Sequence, residues 1–129
     1  MARKAALTAL VVFLSFTGTK AAFAHAILLS SAPADGAILH HRNIEITLDY
    51  NSRIDAGRCT ITLRNTADRN VPLRMQASRT PSELKAASDN LTNGTYYIHW
   101  QVLASDGHIT RGEISFTVAG ASPRGSQRP

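Results

Sequence analysis

The chain has 129 residues, a formal net charge of +5 and a single cysteine, Cys59. Three of its fourteen basic residues (Arg3, Lys4, Lys20) fall in the first 24 positions, leaving eleven basic against nine acidic groups. These are scattered rather than clustered, which argues against a nucleic-acid-binding footprint. A lone cysteine rules out an internal disulfide framework. Free cysteine is among the most buried residue types, so Cys59 is expected to be a small buried residue rather than a ligand or reactive thiol.

Residues 1–24 read as a signal peptide. Arg3 and Lys4 form a basic start, residues 5–16 an apolar run too short to span a bilayer, and Ala22-Phe23-Ala24 a small-x-small cleavage pattern. Cleavage after Ala24 leaves 105 residues beginning at His25, enough for one small domain. The expectation is an exported, periplasmic protein in a bacterium, monomeric and without stable membrane insertion, with a domain over 25–119 and a disordered tail over 120–129.

In chain order, the turn residues Pro33-Ala34-Asp35-Gly36 precede the first clear strand. Residues 43–50 alternate apolar and polar, as a strand with one buried face does. After the turn Asp55-Ala56-Gly57, residues 59–64 repeat the alternation. Residues 80–90 fit either a helical turn or an irregular strand. Beyond Asn93-Gly94, the even positions Tyr96, Ile98, Trp100 and Val102 form an inward row, with Tyr97 and His99 outward. Asp106-Gly107 marks another turn, and residues 112–118 alternate again. Several short strands at this spacing predict an all-β, immunoglobulin-like antiparallel β-sandwich with Greek-key, barrel-like connections. Tyr96, just after a turn at the start of a late strand, suits a tyrosine corner.

A histidine at a processed terminus offers one metal two nitrogen ligands, its α-amine and its Nδ1. The bland alternative is a cleavage site that happens to precede His25. Asp106-Gly107-His108 is the second candidate: on extended backbone, residues two apart project to one side, so a carboxylate and an imidazole converge. Its alternative is an ordinary Asp-Gly turn beside a surface histidine. His40, His41 and His99 are weaker candidates, the first two alternating across a strand and the third lying among outward polar neighbours. Imidazoles, an amine and a carboxylate suit square-planar or tetragonal Cu(II). Zinc accepts similar donors without a preference for planarity. Cu(I) prefers sulfur, which after processing is confined to Met75 and Cys59.

At its two ends the sequence resembles the CopC family of periplasmic copper-resistance proteins. One matching block is residues 25–37, opening His25-Ala26 and closing Asp35-Gly36-Ala37. The other is residues 94–108, closing Ser105-Asp106-Gly107-His108, and it continues into residues 112–118. The resemblance implies a seven-stranded or similar barrel-like sandwich. It also implies one Cu(II) per chain, bound by His25, Asp106 and His108, and copper carriage beside an inner-membrane protein of the CopD type. Two positions depart from the family. Residues 65–75 keep one methionine and no histidine, where some members carry a methionine-rich Cu(I) loop with a further histidine ligand. Ile109 stands where a proline commonly follows the Asp-x-His triplet.

The leading expectation is a non-enzymatic protein that buffers or delivers Cu(II). A copper oxidase using the same terminal-histidine brace fits less well, because the processed chain has five aromatic residues and parity turns four of them inward. A metal-free interaction module is the third reading, since a sandwich alone does not fix a function.

Overall fold

The computed structural model describes residues 25–120; the expected signal peptide and almost all of the expected tail lie outside them. Among the described residues there are nine strands: β1 Leu28–Ala32, β2 Ala37–Leu39, β3 Ile44–Tyr50, β4 Thr60–Asn65, β5 Asn70–Val71, β6 Arg74–Gln76, β7 Glu83–Ser88, β8 Gly94–Leu103 and β9 Ile109–Val118. They form a four-stranded sheet, β1-β3-β7-β6, and a five-stranded sheet, β2-β9-β8-β4-β5. The expected sandwich is therefore present, with more strands than the seven implied by resemblance. The β2–β9 pairing is parallel, an exception in an otherwise antiparallel architecture. It arises where the chain leaves β1 in one sheet and enters β2 in the other around Pro33-Ala34-Asp35-Gly36. Gly36, with φ +77°, donates its amide to the Ser115 carbonyl at 2.8 Å, and Asp35 Oδ1 accepts from the Ser115 amide at 2.9 Å. That corner is thereby fastened to β9.

Alternation places the core between the sheets. Ile44, Ile46, Leu48 and Tyr50 of β3 face Ile98 and Val102 of β8 and Ile114, Phe116 and Val118 of β9, all buried. Residues 80–90, ambiguous in sequence, supply β7, which lies between β3 and β6. Its alternation is blurred because small residues, Ala87 and Ser88, are buried alongside the core-facing Leu84 and Ala86. Ser88 Oγ donates to the Pro72 carbonyl at 2.8 Å, satisfying its hydroxyl.

Two aromatic arrangements lock the five-stranded sheet. The Tyr96 hydroxyl donates to the Thr92 carbonyl at 2.8 Å, forming the expected tyrosine corner, and its ring stacks on Phe116 with centroids 5.5 Å apart. Trp100 meets Tyr50 edge-to-face at 5.4 Å and lies flat over Gly112, its cross-strand partner. A Cβ added to Gly112 would sit 2.3 Å from Trp100 Cζ2, so β9 needs glycine there to admit the indole. Gly112→Ala should cost about 1–3 kcal/mol through overpacking, measured by chemical denaturation of the two proteins; equal stabilities would contradict the contact.

Candidate metal centre

The connection between β8 and β9 builds one half of the site. The Gly107 amide donates to the Ala104 carbonyl at 2.9 Å and the Ala104 amide to the His108 carbonyl at 2.8 Å, closing a tight turn with Gly107 at φ +89°. Asp106 Oδ1 accepts from the His108 amide at 3.0 Å, and its Oδ2 lies 3.1 Å from His108 Nδ1. Convergence of these two side chains is therefore the work of a turn in which an Asp caps the amide two residues on. The extended backbone assumed from sequence is absent here. The turn is braced from outside by the Ser105 amide, which donates to the Arg53 carbonyl at 3.1 Å, and by a bridge between Ile54 and Ala104.

The other half is the N-terminal arm. Ala26 is buried, and its carbonyl accepts from Thr110 Oγ1 at 2.8 Å. The Ile27 amide donates to Asn51 Oδ1 at 2.8 Å, while the Asn51 amide donates to the Ile27 carbonyl at 3.0 Å. His25 remains exposed at the end of this arm, its ring centroid 4.6 Å from that of His108 at an interplanar angle of 80°. One ligand atom from each of His25, Asp106 and His108 lies within 4.8 Å of the others. Bonds near 2 Å to a single ion place its ligand atoms no more than roughly 4 Å apart, so closing on a metal takes a movement of roughly 1 Å by solvent-exposed side chains. Among the described residues this is the group of three metal-capable side chains that the structure brings together.

The other sequence candidates lie elsewhere. His40 Nδ1 pairs with the Ala119 carbonyl at 2.7 Å, at the opposite end of the ten-residue β9, and His41 is its exposed neighbour. His99 Nδ1 faces Glu113 Oε2 at 3.2 Å across β8 and β9. Cys59 is half-buried rather than fully buried as expected. Its thiol donates to the Asp55 carbonyl at 3.0 Å, and burial, aided by the Asp55 charge, raises its proton affinity. Met75, on the edge strand β6, is exposed. Asn51 and Thr110, which hold the arm, were not singled out from sequence; they sit 24 and 84 residues from the backbone groups they bind, and no local pattern marks them.

The His108 amide, then the His108 and His25 imidazoles, hold the Asp106 carboxyl below the usual carboxylate range against an opposing desolvation. A carboxyl held low contributes stability that is present above its unfolded value, about 3.9, and is lost as pH falls through the lowered folded value. In metal-free protein, Asp106→Asn should therefore lower the melting temperature by an amount that shrinks only below about pH 4, read from melts stepped between about pH 6 and about pH 3. A difference that persists unchanged to the acid end would contradict the ionised contacts.

The family model for the CopC domain matches residues 28–119. Copper resistance protein C of Xanthomonas campestris pv. juglandis is 29% identical over 119 residues, covering 86% of this chain and 93% of that protein. Protein YobA of Escherichia coli is 28% identical over 114 residues, covering 85% and 91%. Among solved structures, CopC from Methylosinus trichosporium OB3b superposes with a TM-score of 0.68 at 24% identity, covering 73% of this chain and 93% of that one, a likeness of fold. With the family model spanning both sheets and the turn that carries Asp106 and His108, this chain belongs to the CopC family of copper-resistance proteins.

Proposed function

We propose that the chain is exported, cut ahead of His25, and carries one Cu(II) ion in the periplasm, buffering it or delivering it to an acceptor such as an inner-membrane protein of the CopD type. The observation that carries this reading is the meeting of His25 with Asp106 and His108, residues from the two ends of the domain, within 4.8 Å on one exposed rim. Processing adds the α-amine of His25, giving three nitrogen donors and one carboxylate, a set that favours tetragonal Cu(II) in the Irving–Williams order. Sulfur donors for Cu(I) are missing from the triplet: Met75 stands on the edge of the four-stranded sheet and Cys59 is committed to the Asp55 carbonyl.

Copper here is cargo, and the surroundings suit binding rather than chemistry on a large substrate. Tyr50, Tyr96 and Phe116 are buried and Trp100 packs against the core, so no flat aromatic platform is assembled from them. Exposed ligands also let water and an acceptor reach the ion, as a carrier requires.

The test is a Cu(II) titration of protein with a native His25 terminus beside protein carrying a Met ahead of His25. Loss of the free amine should weaken binding by orders of magnitude, and His108→Ala should do the same while His99→Ala changes little. Equal affinity of the two termini would overturn the site. Protons compete with the metal for the imidazole and amine donors, so affinity should climb as pH rises and weaken in acid. Asp106, whose carboxyl is held below the usual carboxylate range, contributes little to that dependence. A pH-independent affinity, or a preference for zinc or Cu(I), would count against the nitrogen-rich set.

A further inference from the structure

We infer that Thr110, assisted by Asn51, is a positioning residue that sets the His25 half of the centre against the Asp106–His108 half before metal arrives; the inference rests on the copper reading above. A first residue normally frays, because nothing precedes it and few contacts restrain it. Here the two residues behind it are held by three hydrogen bonds: Thr110 Oγ1 to the Ala26 carbonyl, the Ile27 amide to Asn51 Oδ1, and the Asn51 amide to the Ile27 carbonyl. Their other ends lie in different sheets. Asn51 directly follows β3 of the four-stranded sheet, and Thr110 is the second residue of β9 in the five-stranded sheet.

Thr110 also stands two residues beyond His108, on the strand that the ligand turn opens, and is paired with Val102 of β8 in regular register. A short path therefore runs from one ligand to the other: His108, Ile109, Thr110, its hydroxyl, the Ala26 carbonyl, then His25. The path crosses a gap of 84 residues in sequence through one 2.8 Å contact. Ala26 is 1% exposed, which leaves its carbonyl little access to water if the hydroxyl is removed. Ordering the arm in advance lowers the entropy that binding would otherwise have to overcome, and so appears as affinity.

Thr110 is not one of the three candidate ligands, and the hydrogen bond its hydroxyl donates goes to the arm, so its removal should act through the arm. In native-terminus protein, Thr110→Val should weaken Cu(II) binding about tenfold, the scale of one lost hydrogen bond with a buried acceptor left unsatisfied. Thr110→Ser, which keeps the hydroxyl, should restore parental affinity. The same Thr110→Val change in protein that carries both a Met ahead of His25 and His25→Ala should have little effect on the residual Cu(II) affinity, because the arm then supplies neither amine nor imidazole. The bound Cu(II) spectrum should be the parental one in every native-terminus variant, and amide relaxation in metal-free Thr110→Val should show Ala26 and Ile27 newly mobile.

An unchanged affinity for Thr110→Val, or an equal loss in the background whose arm supplies neither amine nor imidazole, would overturn the positioning role while leaving the copper site standing; an equal loss would mark simple damage to the turn. A parental protein that binds Cu(II) no better with its native terminus than with the added Met would overturn the copper reading, and the role of Thr110 with it.

Discussion

Two chain segments 81 residues apart have to be held at one rim while their reactive ends stay in solvent, and the rest of the architecture follows from that demand. His25 belongs to an arm without secondary structure, and Asp106 and His108 to a turn between two ten-residue strands. Neither is rigid alone. The arm becomes so by burying Ala26, by accepting a hydrogen bond from the Thr110 hydroxyl and by pairing the Ile27 backbone with the side chain and amide of Asn51. The turn becomes so through Gly107, the Asp106 cap on the His108 amide and the brace from Arg53 and Ile54. Closing the two sheets face to face brings these solutions together, since β3 delivers Asn51 and β9 delivers Thr110 to the same end.

The core underneath is separate from this chemistry. Phe116, Ile98, Val102 and Leu48 are almost wholly buried, and Trp100 is seated on Gly112 against Tyr50. Such a wall is stabilised by apolar burial, which needs no metal. The ligands add little to it because all three are exposed. Folding is thus weakly coupled to occupancy of the proposed copper site, an arrangement that suits the carrier role proposed above. A structural zinc domain, whose fold collapses without its ion, represents the opposite arrangement.

Much of this was legible in the sequence, for definable reasons. β3, β4, β8 and β9 each bury one face beneath solvent on the other, so apolar residues recur every second position and the strands announce themselves. β7 carries Glu83, Ala87 and Ser88 in buried positions, and small or polar residues erase that period. The short edges β2, β5 and β6 have three residues or fewer, too few for any period to register, and β1 exposes Leu29 while only half burying Leu28. The parallel β2–β9 contact is a product of the corner at Gly36, which no pairing rule for hairpins anticipates.

The candidate site divides along the same line. Residue type and spacing marked His25 and the Asp106-Gly107-His108 triplet as candidates beside ordinary alternatives, and it was the resemblance to the CopC family that joined the three residues into one set. The route by which they meet was not legible. Extended backbone and the observed turn both bring a carboxylate beside an imidazole two residues on, but only the turn spends Asp106 Oδ1 on the His108 amide, leaving Oδ2 toward the His108 ring. That division of labour explains how an exposed carboxylate can be held below the usual carboxylate range without burial, with its second oxygen beside the His108 ring. The arm was less legible still, since its partners are fixed by the closing of the sheets and by nothing nearby in the chain. The identity of the candidate ligands is thus written locally, in three residues, whereas their geometry is written in the packing of two sheets that share no local sequence.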